Sequence, residues 1–151
     1  MTSSQLFILL VCTLSYGLII GAYYGTIEYR IRNDLPLVTK DCFCPICNHK
    51  LSLLQQTPVL AWFALKGKCK YCHNSISPRY PAFEAAFGLF YVVSFMALRK
   101  IPLILLLLWL LFITAALALR AERHFSSLLK GLAIMYGYHI LYGALLIILL
   151  S

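Results

Sequence analysis

Apolar residues gather in four long runs, separated by polar stretches of very unequal length. The runs cover about Gln5 to Ile27, Tyr80 to Leu98, Ile101 to Leu119 and Leu128 to Leu150, which is 23, 19, 19 and 23 residues. A helix needs roughly 17–25 residues to cross an apolar core of ~30 Å. Continuous stretches such as Leu103 to Leu111 lack the alternation of a membrane-barrel strand. In lipid the backbone must satisfy its own hydrogen bonds, so the runs predict helices. The expected fold is an all-α integral membrane protein with about four transmembrane helices. Three regions follow: 1–27 with the first helix, a loop over 28–79, and 80–151 with three further helices.

Composition strengthens this reading. The chain is 62% hydrophobic and 12% charged, against roughly 25% charged in ordinary soluble domains. That balance excludes a disordered chain and disfavours a soluble globular one. No Lys or Arg precedes the first run, and the run is too long for a signal-peptide core. It is therefore expected to be a retained helix.

Charge then sets an orientation. The loop over 28–79 carries Arg30, Arg32, Lys40, Lys50, Lys66, Lys68, Lys70 and Arg79, and the last connection carries Arg120, Arg123 and Lys130. The turn between the second and third runs holds only Arg99 and Lys100, and nothing basic precedes the first run. Basic residues accumulate on the cytoplasmic side. The expected topology is multi-pass, with the N-terminus out, the large loop cytoplasmic and the C-terminus out. The net charge of +8 then needs no nucleic acid as partner; a basic loop beside anionic lipid accounts for it.

Five of the six cysteines lie in that loop. Cys44-Pro-Ile-Cys47 and Cys69-Lys-Tyr-Cys72 are two C-x-x-C pairs, the spacing of a four-thiolate zinc site. A segment this small buries little apolar surface, so bound metal would supply folding energy. The alternatives are two disulfides or thiols kept for packing; a reducing cytoplasm opposes disulfides. Cys42 is a spare thiol that competes with Cys44 as ligand, and His49 and His73 are weaker substitutes. Gly67 and Asn74 mark turns near the second pair. Trp62 and Phe63, between the pairs, fit either a membrane interface or a small core over the knuckles.

The loop reads Cys44-Pro-Ile-Cys47, Pro58-Val-Leu-Ala-Trp62, Gly67-Lys-Cys69-Lys-Tyr-Cys72, then Ile76-Ser-Pro-Arg-Tyr-Pro81 with Glu84. This combination resembles the N-terminal region of bacterial prepilin peptidases, membrane aspartic proteases that process type IV pilins and competence pseudopilins. Gly17, Gly21 and Tyr29-Arg30 also resemble that family's first helix and its exit, so the resemblance covers roughly residues 17–88. It implies a polytopic helical bundle in the bacterial inner membrane with a cytoplasmic cysteine loop. It further implies cleavage of a prepilin leader after a Gly, followed in many members by N-methylation with S-adenosylmethionine. Prepilin or pseudopilin would be the partner.

The family's catalytic signature is missing from these residues. Aspartic chemistry needs two carboxylates, one ionised and one protonated. The resemblance expects them in a D-x-[RK]-like stretch and a G-x-G-D motif. Arg120 stands near the first position, and no G-x-G-D occurs. Asp34 and Asp41 read as solvated loop charges, and Glu122 as charge balance between Arg120 and Arg123. No catalytic residue is assigned. The chain is expected not to cleave by itself: a degenerate relative that binds or methylates prepilin, or one half of a split enzyme with a separately encoded C-terminal half.

Arg79 and Glu84, beside the loop, are candidates for structural or substrate-handling roles. Glu84 is expected in the first turn of the second helix, held by the helix dipole and Arg79. His139 lies mid-helix in the fourth run, where an interhelical hydrogen bond competes with a functional role. Gly17, Gly21 and Gly25 lie on one helix face and predict close approach of another helix.

Overall fold

The computed structural model describes residues 2–36, 42–118 and 125–150. Asp41, Arg120, Glu122 and Arg123, which figure in the sequence argument, lie outside the described residues. Among the described residues five α-helices follow in order: α1 (Ser3–Arg32), α2 (Leu60–Ala64), α3 (Arg79–Leu98), α4 (Pro102–Ala118) and α5 (Phe125–Leu150). A 3-10 turn over Leu53–Gln56 precedes α2. No strand forms among the described residues beyond two isolated bridges.

Three of the helices are long and apolar enough to cross a membrane: α1, α3 and, within α5, Leu129–Leu149. α4 has 17 residues, at the lower limit for a span. The outward faces are themselves apolar, with Leu111 67%, Leu141 71% and Ile148 71% exposed. A helix apolar on every side belongs inside a large core or in lipid.

α1 differs from its expected extent. A capping box starts it, with Gln5 N–H donating to Thr2 Oγ1 and Thr2 N–H to Gln5 Oε1. It then continues past Ile27 to Arg32. Glu28 and Arg32 pair at 2.8 Å across one turn, with Glu on the N-terminal side, the orientation that supports a helix. Its 30 residues span about 45 Å, longer than the apolar core, so the last turns carry Arg30 out toward the cysteine loop.

α1 packs on α3 through the predicted glycine face. A Cβ on Gly17 would lie 2.9 Å from Gly88 Cα, and one on Gly21 would lie 2.7 Å from Glu84 Cα. Gly25 faces the Tyr80 ring. The glycine face therefore serves packing within the chain. α4 packs on α5, where Leu106 fills the space over Gly143 and Thr114 meets the Tyr136 hydroxyl.

A buried aromatic and polar cluster joins these two pairs. Tyr16 stacks on Tyr142 with centroids 4.0 Å apart, and Tyr91 lies 4.5 Å from Trp109. Trp109 Nε1–H donates to Ser94 Oγ at 2.7 Å. His139, fully buried, donates from Nδ1 to the Met135 carbonyl at 2.7 Å and meets the Tyr91 hydroxyl at Nε2. Its role here is an interhelical hydrogen bond, which satisfies polar atoms that lipid could not.

Candidate metal centre and adjoining cavity

The two C-x-x-C pairs fold as copies of one knuckle, 25 positions apart. In the first, Cys44 N–H donates to His49 O at 3.0 Å, Asn48 N–H to Cys44 O at 2.9 Å, and Leu51 N–H to Cys42 O at 2.9 Å. In the second, Cys69 N–H donates to Asn74 O at 2.9 Å, His73 N–H to Cys69 O at 3.1 Å, and Ile76 N–H to Gly67 O at 2.7 Å. Each knuckle turns back on itself at the residue after its second cysteine, with φ +55° at Asn48 and +58° at His73. The expected turn residue Gly67 also has positive φ, at +67°, whereas at the second knuckle's tip the left-handed residue is His73, next to Asn74. Asn, Asp and His are the side chains that tolerate this conformation best.

This folding brings Cys44, Cys47, Cys69 and Cys72 together, with all four sulfurs within 4.8 Å of one another. Cys44 and Cys72 sulfurs are 3.9 Å apart, and those of Cys47 and Cys69 4.0 Å. A disulfide requires about 2.05 Å, so the thiols are free. A tetrahedron with metal–sulfur bonds of ~2.3 Å has edges of about 3.8 Å, which these separations match. The four cysteines can therefore hold a metal ion. Cys42 is outside the cluster; its contribution is the carbonyl that closes the first knuckle. His49 is also not a ligand, because its ring stacks on Tyr71 at 3.4 Å and ties the two knuckles together.

Local donors point at two of the four sulfurs, those of Cys69 and Cys72. Backbone N–H groups of Cys72 and then Tyr71 favour the thiolate of Cys69 and lower its pKa to about 7. Tyr71 N–H lies 3.5 Å from that sulfur, and Asn74 Nδ2–H lies 3.6 Å from the sulfur of Cys72. Cys44 and Cys69 are buried at 6% and 3% exposure.

Trp62 closes the loop's own small core. Its indole N–H donates to Ile76 O at 3.0 Å, and its ring covers Gly67, where a Cβ would lie 2.8 Å away. Phe63, its neighbour, is 65% exposed, so the two aromatics have different roles.

Glu84 joins loop to bundle, and the geometry corrects its expected setting. α3 begins at Arg79 because the missing N–H of Pro81 falls among the donors that a helix leaves unpaired at its start. Glu84 is therefore past the first turn, away from the helix terminus. Its carboxylate accepts from Val59 N–H at 2.5 Å. Val59 has φ +60°, an outlier for a β-branched residue. Arg79 is exposed, and its backbone N–H donates to Ser77 Oγ. Val59 was not legible as a site residue, since only its distant partner explains its backbone.

Between the loop and the helices lies a cavity of about 1140 Å³. Tyr23 and Arg30 of α1, Glu84 of α3, and Ile134 and Tyr138 of α5 line it opposite the cysteine loop. Arg30 donates to the Pro36 carbonyl at 3.0 Å. The walls are mostly apolar with a few polar groups, the usual make-up of a ligand site.

Fold and site together define a helical membrane protein whose loop between α1 and α3 is clasped by a four-cysteine, metal-competent centre. The chain belongs to the family described as the bacterial peptidase A24 N-terminal domain, whose model matches residues 15–98. Its relatives include the prepilin leader peptidase/N-methyltransferase of Myxococcus xanthus, 34% identical over 84 residues, which is 56% of this chain and 24% of that protein. The protein of the same name from Bacillus subtilis is 39% identical over 69 residues, covering 46% and 28%. That from Klebsiella pneumoniae is 33% identical over 110 residues, covering 67% and 48%. The matched segment is thus about a quarter to a half of each of these relatives. No solved structure gives a significant match.

Proposed function

We propose that this chain is the prepilin-engaging module of a prepilin leader peptidase/N-methyltransferase, with zinc in its four-cysteine centre. The family match over residues 15–98 carries the reading. Four thiolates leave no open coordination position, so zinc would fix the loop rather than take part in chemistry. The cavity between loop, α1 and α5 would receive the apolar start of a pilin helix. S-adenosylmethionine is the proposed methyl donor wherever the N-methyltransferase activity is present; no residue is assigned to it. Leader cleavage would need a carboxylate pair that the G-x-G-D and D-x-[RK] motifs supply in the family. A general acid and base contribute roughly 10²–10⁴-fold each, and a guanidinium such as that of Arg120 can serve as neither. Cleavage is therefore assigned to no residue among these 151.

The test is the purified 151-residue protein incubated with a prepilin in detergent, read by co-purification and mass spectrometry. Retention of prepilin with its leader intact is expected. Leader removal that is lost on Asp34→Asn or Asp41→Asn would overturn the assignment, and failure to retain prepilin would remove the binding role.

The proposed setting is the bacterial inner membrane, with the N-terminus out and the cysteine loop in the cytoplasm. It rests on the eleven basic residues of the loop and the last connection against two in the intervening turn. Reporter fusions at Ser75 and Ser151 should be active inside and outside respectively; the reverse pattern would refute the orientation.

A further inference from the structure

The cysteine loop turns an apolar face away from its own core. In α2 and at its C-cap, Ala61, Trp62 and Leu65 are half-buried and line the cavity. Leu60 and Phe63, three residues apart and so on one side of the helix, are 67% and 65% exposed. The neighbouring 3-10 turn adds Leu53 at 86% and Leu54 at 84%. Large apolar groups clustered this way mark a surface that something else covers.

The position of α2 identifies the cover. Val59, immediately before α2, is hydrogen-bonded to Glu84, five residues inside α3. At 1.5 Å per residue Glu84 lies about 7.5 Å along that helix. The 20 residues of α3 are about 30 Å long, the thickness of the whole apolar core. A helical side chain leans toward its helix's N-terminus, so the bond holds the start of α2 beside the first turns of α3, at the level of the interface. Amphipathic helices that lie in the interface bury their apolar face to about 5–10 Å. Charge points to the same medium: residues 42–78 carry Lys50, Lys66, Lys68 and Lys70 and no Asp or Glu, as expected beside anionic headgroups.

We propose that the exposed face of α2, with Leu53 and Leu54, is an interfacial anchor that seats the cysteine loop in a leaflet rich in anionic phospholipid. The loop is then held at three places: its two ends run into α1 and α3, and its middle rests in lipid. The mouth of the adjoining cavity would open at the interface, where an apolar helix can enter sideways from the membrane.

The test uses the full chain in nanodiscs that contain a phospholipid with a photoactivatable acyl chain. Adducts are located by mass spectrometry. In discs with anionic lipid, adducts are expected on Leu53 to Phe63 as well as on the long helices. Labelling of this segment should be weaker in purely zwitterionic discs. It should fall to background in the L54S/F63S double variant, whose metal content stays that of the wild type. Because both faces of a disc carry the same lipid, the outcome is independent of cellular orientation and of prepilin binding. Adducts confined to the helices, labelling insensitive to lipid charge, or a segment protected instead by a second copy of the chain would each overturn the proposal.

Discussion

At the residue scale, Glu84 and Val59 show how a strained backbone is held. Positive φ at a β-branched residue costs on the order of 1–3 kcal/mol. A hydrogen bond to a charged group contributes roughly 1.5–3 kcal/mol, enough to offset it. Glu84→Ala should therefore release the loop, and Glu84→Gln, which keeps an acceptor, should release it less. Limited proteolysis of the full chain in detergent would read this as faster cutting between Thr57 and Lys66 for E84A, with E84Q intermediate. Wild-type cutting rates in E84A would mean that the contact holds nothing. The sequence made Glu84 conspicuous but assigned it the wrong partner, since a carboxylate near a helix start suggests the dipole. The cysteines were legible because each knuckle is built by neighbours in sequence. Val59 was not, because its conformation depends on a side chain 25 residues away.

At the scale of elements, the α1–α3 contact is governed by what a Cβ would strike. At Gly21 the obstacle is backbone, Glu84 Cα at 2.7 Å and Phe83 O at 3.0 Å, which cannot swing aside as a side chain tip can. Gly21→Val should part the helices and cost about 1–3 kcal/mol or more. Gly137 is a built-in control, with nothing within 4 Å of a Cβ there. Gly137→Ala should be neutral or stabilising by up to about 1 kcal/mol. Thermal unfolding of the detergent-solubilised chain separates the two; equal melting of G21V and wild type would contradict the packing. The three-glycine spacing announced this face. Helix ends were less legible: hydropathy stops at Ile27, whereas α1 continues to Arg32, because a polar i,i+4 pair carries a helix out of lipid as well as an apolar run carries it through.

At the scale of the molecule, two helix pairs are joined by Tyr16, Tyr91, Trp109, His139 and Tyr142. No local pattern in the sequence reveals this cluster, since its members come from four helices. The remaining body, the loop, has little core of its own: Trp62 over Gly67, His49 on Tyr71, and the sulfurs. Structural zinc contributes apparent free energies of about 10–16 kcal/mol in small zinc-dependent domains, far more than these contacts. Under the proposed function, bound metal makes this segment a folded domain. Metal analysis of the purified full-length chain tests it most directly. About one zinc ion per chain is expected, falling to none in the C44S/C69S double variant while the helices remain folded. Wild-type protein purified without chelator that holds no metal, or a double variant that keeps its full content, would contradict it.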